Sequence, residues 1–227
     1  MTTVPVSLHA LLTAPFEPPP PVAWQRDRWR AWADRMGDGF VVPEAFGEQV
    51  ERADVAAVVD DELDRGRTGA AFVAAMVWAL GDAGDGAYRT ASVLGGRRRP
   101  TVVDPDVVRT LDESARTVRD AGPAAVPTAH RAVRARGLHG LVAVTTTTWL
   151  HFASARRDPY GPHAAPVLDD TVRGWLASHA DLHLHDGRTG DYVQYTDRLL
   201  RWGRPFGRTP VQVESAVRAL VATTCPG

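Results

Sequence analysis

Three residue types are missing from the 227-residue chain, and their absence limits the chemistry it can perform. The sequence contains no lysine, no asparagine and no isoleucine, so all 26 basic side chains are arginines. Without lysine, no Schiff base can form on a lysine nucleophile and no phosphate loop of the Walker type can exist. Without asparagine, that side-chain amide is not available to bind an oxyanion or to read an amide group.

Cysteine and long apolar runs are scarce as well. Cys225 is the only cysteine, so no disulfide can form within the chain and a cysteine-based zinc site is disfavoured. No stretch approaches the ~18 apolar residues of a membrane helix, and no basic-then-apolar signal region opens the sequence. We therefore expect a cytoplasmic protein that does not contact a membrane.

The composition is that of a globular protein, with 44% hydrophobic and 23% charged residues and a formal net charge of −1. The charge is distributed unevenly, because residues 86–160 carry a net charge of +6 and the rest of the chain carries −7. Such asymmetry is expected when one face of a protein meets an anion. The four consecutive prolines at 18–21 predict an extended N-terminal arm over residues 1–22, followed by a single domain over residues 23–227.

Hydrophobic periodicity predicts a mainly helical domain, since no sustained two-residue alternation appears. Trp24, Trp29 and Trp32 lie on a predicted short helix and are expected to anchor the arm. The other predicted helices lie between Pro43 and Gly66, over 70–80 with Thr68 as its cap, from Asp104-Pro105 to about Asp120, over 128–136, near 169–178, near 191–202, and from a capping box at Thr209–Gln212 onward. For residues 142–152, a helix and a buried strand both remain open.

One ordered set of motifs carries a family resemblance. Arg136-Gly137-Leu138-His139-Gly140-Leu141 ends a helix, the apolar segment 142–152 follows, and Asp169 then stands three residues before Val172. This order resembles the helix-hairpin-helix DNA glycosylases, and most closely the bacterial proteins with the 8-oxoguanine glycosylase (OGG) fold. The resemblance implies two packed helical lobes with a central cleft, a glycine-bearing hairpin that grips a DNA phosphate, and Asp169 as the catalytic carboxylate.

Two further segments extend the resemblance to roughly residues 65–222. Trp78-Ala79-Leu80-Gly81 and Gly86-Ala87-Tyr88-Arg89-Thr90-Ala91 are similar to a Trp-Gly-x-Gly…Gly-Pro-Tyr-Arg-Thr stretch of the bacterial group, and residues 191–202 are similar to its Tyr-rich C-terminal helix. The resemblance implies that Trp78, Tyr88 and Arg89 line the base-binding side of the cleft. The triple-glycine turn before Tyr88 would let the backbone approach a ligand closely.

The chain also departs from this family. The lysine nucleophile of its bifunctional members falls on Thr148, so the resemblance implies base excision without lysine-dependent strand cleavage. Gly137 and Gly140 are present, but the tight Gly-apolar-Gly hairpin turn is not. We expect the DNA backbone to lie against these two glycines, against Arg134 and Arg136, which flank the hairpin with Arg131, and against Arg157, which with Arg156 follows the second segment. Arg97–Arg99 lie in a loop before Pro100, where phosphate contact and a solvated charged run both remain open.

Asp169 has two open interpretations: it stabilises positive charge on a sugar while a glycosidic bond breaks, or it only caps a helix. The first predicts a monofunctional glycosylase that acts on a flipped, damaged or modified base in duplex DNA. The alternatives are a non-catalytic nucleic-acid-binding relative and an enzyme acting on a free nucleoside or other small molecule. His179, His183 and His185 offer an alternative metal site, but they fit a polar surface loop equally well. We expect no metal and no cofactor.

Overall fold

Helices make up most of the protein. The computed structural model describes residues 3–224, and Cys225 lies outside this range. Its α-helices are α1 (Val6–Thr13), α2 (Arg26–Met36), α3 (Arg52–Asp64), α4 (Thr68–Leu80), α5 (Gly86–Leu94), α6 (Pro105–Ala121), α7 (Val126–Ala135), α8 (Ala143–Ala155), α9 (Asp170–Ala180), α10 (Thr189–Gly203) and α11 (Pro210–Thr224). Two short strands, β1 (Val22–Ala23) and β2 (Gln49–Val50), pair in antiparallel fashion. The predicted mainly helical class is confirmed. None of the helices within residues 3–224 is long and apolar enough to cross a membrane.

Helix α4 forms the centre of the core, as its sequence predicts. All its residues from Thr68 to Val77 are buried, and it packs against α3, α5, α6 and α8. Small residues permit this close packing; a Cβ on Gly69, for example, would meet the carbonyl oxygen of Gly39 at 2.7 Å. An apolar helix with no solvent face is stable only in such a position.

The segment 142–152 belongs to helix α8, so the strand alternative is wrong. Its run of threonines disfavours a helix by intrinsic propensity. The threonine hydroxyls nevertheless donate hydrogen bonds to backbone carbonyls one turn earlier, from Thr146 to Val142 at 2.9 Å and from Thr147 to Ala143 at 3.0 Å. These bonds satisfy the hydroxyls inside a buried helix, and tertiary packing overrides the propensity.

Most predicted helix starts are confirmed, with two exceptions. The Asp104 carboxylate accepts from the Asp106 amide at 2.8 Å, and Thr209 and Gln212 form the expected capping box. Thr68 is not a cap, because its hydroxyl instead bonds the Asp112 carboxylate at 3.1 Å. The helix expected after Pro43 begins only at Arg52, since the chain first forms β2.

The N-terminal arm is not wholly extended. Residues Val6–Thr13 form α1, which packs on α11 and buries Leu8 and Leu12. Arg208 also holds the arm by donating to the carbonyl oxygens of Leu12, at 3.3 Å, and of Ala14. Residues 14–21 are extended, as four prolines require. The arm therefore lies on the domain and is held there by the C-terminal helix. Trp24 and Trp29 are buried in the core itself.

Candidate functional site

Asp169 follows a buried, firmly held segment that leads into helix α9. The amide of Leu168 donates to the Thr147 hydroxyl of α8 at 3.1 Å. Two buried tyrosines of α10 donate to the carbonyls before it, from Tyr192 to Pro166 and from Tyr195 to Val167, each at 2.8 Å. Burial raises the pKa of both phenols above the ordinary value, so they act as neutral donors. Helices α8 and α10 together fix the point at which Asp169 enters α9.

Asp169 caps α9 and also makes a long-range ion pair. Its Oδ1 accepts from the Val172 amide at 2.8 Å, which is the geometry of a helix N-cap. Its Oδ2 contacts Nη1 of Arg218 on α11. The Asp169 side chain is 20% exposed, whereas that of the adjacent Asp170 is 92% exposed. Asp169 is thus a cap with one carboxylate oxygen directed to a second helix.

The ion pair continues inward as a chain of alternating charges, formed by Asp169, Arg218, Glu214 and Arg52. Nε of Arg218 donates to Oε1 of Glu214 at 2.6 Å, and Nη2 of Arg52 donates to the same oxygen at 3.0 Å. The other Glu214 oxygen accepts from the Val167 amide at 3.0 Å. The side chains of Glu214 and Arg52 are 0% and 2% exposed. We call these four residues the charge chain.

The charge chain keeps its buried members ionised. Burial alone would raise the pKa of Glu214, but Arg52 and Arg218 outweigh it and lower that pKa to about 2. Burial likewise would lower the pKa of Arg218, yet Glu214 and Asp169 leave it above the ordinary value. Because each charge neighbours an opposite one, the desolvation cost of burying Glu214 and Arg52 is offset locally.

Trp78 and His151 lie next to Arg52 and Glu214, the buried end of the charge chain. The Arg52 guanidinium lies over the Trp78 ring at 4.4 Å from its centroid. His151 is fully buried, with Nδ1 at 2.7 Å from the Ala165 carbonyl, and burial lowers its pKa to about 3. The imidazole is therefore neutral and donates from Nδ1. Trp78 thus packs close to the charge chain, but one face of its ring is covered by Arg52.

A cavity of about 460 Å³ opens beside Arg218. Residues 11–20 of the N-terminal arm form one wall, and α11 forms the other with Ser215, Arg218 and Ala219 among its residues. The lining is mostly apolar side chain. The Ser215 hydroxyl is buried with no hydrogen-bond partner among the described residues. The cavity adjoins the Asp169 ion pair and has the size range of a small-molecule site.

Thr148, the position of the absent lysine, is fully buried within α8. Its hydroxyl has no hydrogen-bond partner among the described residues. Its neighbour Thr147 makes the bond to Leu168 that holds the approach to Asp169. Thr147 thus links α8 to the segment that leads into Asp169, whereas the Thr148 hydroxyl makes no such bond.

Tyr88 and Arg89 lie apart from the contacts made by Trp78. The Tyr88 ring packs against Trp32 at 5.6 Å, and its hydroxyl donates to the Arg98 carbonyl at 2.9 Å. Both Tyr88 and Arg89 are partly exposed at the start of α5. The glycines before them allow close packing within the chain, because a Cβ on Gly86 would clash with the Leu80 carbonyl. Their expected contact with a base stays a prediction.

The segment between α7 and α8 is a glycine turn. Gly137 and Gly140 adopt φ values of +60° and +75°, a region that favours glycine, and both are exposed. Nη1 of Arg134 closes the turn by donating to the Leu141 carbonyl at 2.6 Å. Arg136 is exposed at the end of α7. The turn thus presents glycine backbone and an arginine to solvent, while Arg134 is occupied within it.

Arg157 and the three histidines have local partners instead. Arg157 pairs with Asp60 at 3.1 Å and with Asp61, so acids on α3 already balance its charge. The histidines diverge: His179 stacks on Trp175, His183 lies 3.5 Å from Asp181, and His185 lies 2.9 Å from Asp191. Among residues 3–224 no group of three metal-binding side chains converges on a common point. The alternative of a three-histidine metal site is therefore not supported.

The sequence motifs point to Asp169 but not to its partners Arg218, Glu214 and Arg52. Helix α11 carries a buried apolar stripe that includes Val213 and Val217. Glu214 lies within that buried part of the helix, and Arg218 follows it by one turn. An acid among buried positions with an arginine at i+4 is the signal that was available, since buried acids require a partner.

The comparisons with known proteins give one match. A family model described as "Putative 8-oxoguanine DNA glycosylase OGG-like protein" matches residues 18–217. Neither the curated proteins nor the solved structures include a match to this chain. The matched range contains the glycine turn, Thr148 and three members of the charge chain, Arg52, Asp169 and Glu214, and it ends one residue before Arg218.

Proposed function

Because the chain belongs to the OGG-like 8-oxoguanine DNA glycosylase family, we propose that it excises a damaged or modified base of the 8-oxoguanine type from duplex DNA. Membership makes it a DNA glycosylase-like protein of a DNA-repair type. The proposal adds that the chain is itself an enzyme, that the reaction is hydrolysis of the N-glycosidic bond, and that no lysine-dependent lyase step follows.

The observation that carries this proposal is the position of the Asp169 carboxylate. It lies at a helix N-terminus, partly exposed, and adjoins a cavity through Arg218. When an N-glycosidic bond breaks, the electron pair leaves with the base and positive charge develops on the sugar. A fixed carboxylate stabilises that charge and can orient the water that adds to the sugar carbon. These two roles are the ones we assign to Asp169.

We place the extruded base in the cavity between the N-terminal arm and α11. An enzyme that acts on a base must take it out of the stack and hold it in a fitted pocket. The apolar lining suits the faces of a base. This differs from the expected site at Trp78, Tyr88 and Arg89. Tyr88 and Arg89 remain proposed nucleic-acid contacts, whereas Arg52 covers one face of Trp78.

Excision without a lyase step follows from the residues at the lysine position. Thr148 has no amine and is buried in α8, and the chain contains no lysine elsewhere. A covalent imine with the sugar therefore cannot form on a lysine side chain. We propose that water is the nucleophile: its oxygen bonds to the sugar carbon, the proton it loses balances the one gained by the departing base, and an abasic site is the DNA product.

The proposed enzyme is tested with duplex oligonucleotides that each carry one damaged or modified base. We expect free base, detected by mass, an intact abasic strand, and no covalent adduct after borohydride treatment. DNA binding without base release would identify a non-catalytic relative. Base release from mononucleosides without duplex binding would identify a small-molecule enzyme. A borohydride-trapped adduct would contradict the mechanism.

DNA-backbone contact at the glycine turn is tested with two arginine variants. Arg136→Gln should weaken DNA binding and reduce the slope of log affinity against log salt by about 1, because an exposed phosphate contact is lost. Arg157→Gln should change both less, since Asp60 and Asp61 already balance that charge. Equal effects of the two variants would contradict the placement of the DNA at the turn.

A further inference from the structure

We infer that Arg218, held by Glu214, is a positioning residue that orients the Asp169 carboxylate for the reaction. The inference rests on the proposed glycosylase function for its catalytic meaning. It assigns a role to two residues that the motifs do not include. The geometry of the charge chain supports it in three steps.

The first step is that Glu214 is a fixed point. It is fully buried on α11 and accepts hydrogen bonds from three parts of the chain: Arg52 on α3 at 3.0 Å, the Val167 amide at 3.0 Å, and Arg218 at 2.6 Å. A carboxylate with three donors in a buried position has little freedom to move. Glu214 therefore ties α11 to the backbone that leads directly into Asp169.

The second step is that Glu214 orients the Arg218 guanidinium, which in turn contacts Asp169. A guanidinium is planar, so fixing one edge fixes the direction of the others. Nε is bonded to Glu214, and Nη1 of the same plane contacts Oδ2 of Asp169. The direction from which Arg218 meets Asp169 is thus set by a buried residue one turn earlier on α11.

The third step is that Asp169 is held at both oxygens. The Val172 amide holds Oδ1 at 2.8 Å, and Arg218 holds Oδ2. The carboxylate plane cannot rotate without breaking one of these contacts. A carboxylate fixed before the substrate binds needs no reorganisation as charge develops, which is the condition for electrostatic catalysis.

Two substitutions separate the charge of Arg218 from its geometry. Arg218→Gln removes the charge and weakens both contacts, whereas Arg218→Lys keeps a cation beside Glu214 but cannot reach both carboxylates as a fork. We expect both variants to lower kcat by about 100-fold, the cost of a misplaced catalytic group, with little change in KM. A wild-type kcat in Arg218→Lys would show that the charge of Arg218 is sufficient, and it would contradict the positioning role of the planar guanidinium.

The matched control is Arg173→Gln. Arg173 lies on α9 and pairs with Asp170, the neighbour of Asp169, at 2.7 Å, but that pair is outside the charge chain and the Asp170 side chain is exposed. This variant should leave kcat unchanged. Thermal unfolding of each full-length variant checks that it is folded, and Arg218→Lys retains a cation beside the buried Glu214 if Arg218→Gln proves unstable.

A readout that needs no activity completes the test. Hydrogen exchange of the Val172 amide, followed by NMR, reports how firmly Asp169 holds its cap. Exchange should accelerate in Arg218→Gln and stay unchanged in Arg173→Gln. If the wild-type protein releases no base but this difference appears, the proposed function fails and the positioning of Asp169 stands. Unchanged Val172 exchange in Arg218→Gln overturns the inference, and so does an unchanged kcat in that variant when the wild-type protein releases base.

Discussion

Helices α6 and α9 are both capped at the N-terminus by an aspartate whose carboxylate accepts a backbone N–H of the first turn. Asp104 accepts from the amide two residues later at 2.8 Å, and Asp169 accepts from the amide three residues later at 2.8 Å. The nearest ion pair at α6, between Asp106 and Arg109, is local and exposed. At α9, Asp169 joins a partner 49 residues away and, through it, a buried acid. A helix cap and a candidate catalytic carboxylate thus differ in their long-range partners.

The largest expected difference between the two ends is in stability. Glu214→Gln should lower the free energy of unfolding by about 3–5 kcal/mol, because it leaves buried Arg52 without its counter-charge. Asp106→Asn removes an exposed pair at the start of α6 and should cost at most about 0.5 kcal/mol. Urea denaturation measures both. Similar losses of unfolding free energy in the two variants would contradict the assignment of Glu214 as the counter-charge that buried Arg52 requires.

A smaller difference is expected between the two threonines of α8 nearest the α9 entry. Thr147→Val should cost about 1–3 kcal/mol, because the buried Leu168 amide loses its acceptor. Thr148→Val should be nearly neutral, since its buried hydroxyl has no partner among the described residues. The two variants have the same change in composition, so each controls the other. A larger loss for Thr148→Val would contradict the assigned contacts.

Low pH should destabilise the folded protein through His151, which is buried on α8 and bonds the Ala165 carbonyl in the segment before α9. Burial lowers the pKa of His151 to about 3, below the ordinary value of 6.5. Between these two values the unfolded chain binds the extra proton, so the free energy of unfolding falls as the pH is lowered, by up to about 1.4 kcal/mol per pH unit. Urea denaturation at a series of pH values from neutral into this window measures the free energy of unfolding. That free energy should depend less on pH in His151→Gln than in the wild type, whereas the exposed His163→Gln should match the wild type. An unaltered slope in His151→Gln would contradict a buried neutral imidazole.

Local sequence rules predict the helix ends well because their causes are local. Asp104, Asp169 and the Thr209–Gln212 box are recognisable from residue type and spacing alone. The helical state of 143–155 could not be decided in this way, because the threonine propensity and the buried packing act in opposite directions. Helix α1 was missed since its eight residues depend on packing against α11 at the far end of the chain.

The candidate site was only partly predictable for the same reason. Asp169 was found through its motif, but Arg52 and Glu214 lie 162 residues apart and meet only in the folded chain. The cavity depends likewise on the arm crossing α11. Arg157 shows the converse, because this basic residue just after α8 is counted in the positive region of the sequence but is balanced in space by acids of α3. Charge counted along the chain therefore overstates the charge available to DNA.

The measurement that tests the account most directly compares base release by Asp169→Asn and Asp104→Asn on a duplex that the wild-type protein excises. Asparagine caps a helix about as well as aspartate, so both variants should stay folded. With saturating DNA, Asp104→Asn should retain the wild-type rate, whereas Asp169→Asn should lose at least about 100-fold, the usual scale for one electrostatic catalytic group. Retention of full activity in Asp169→Asn would show that this carboxylate is only a cap.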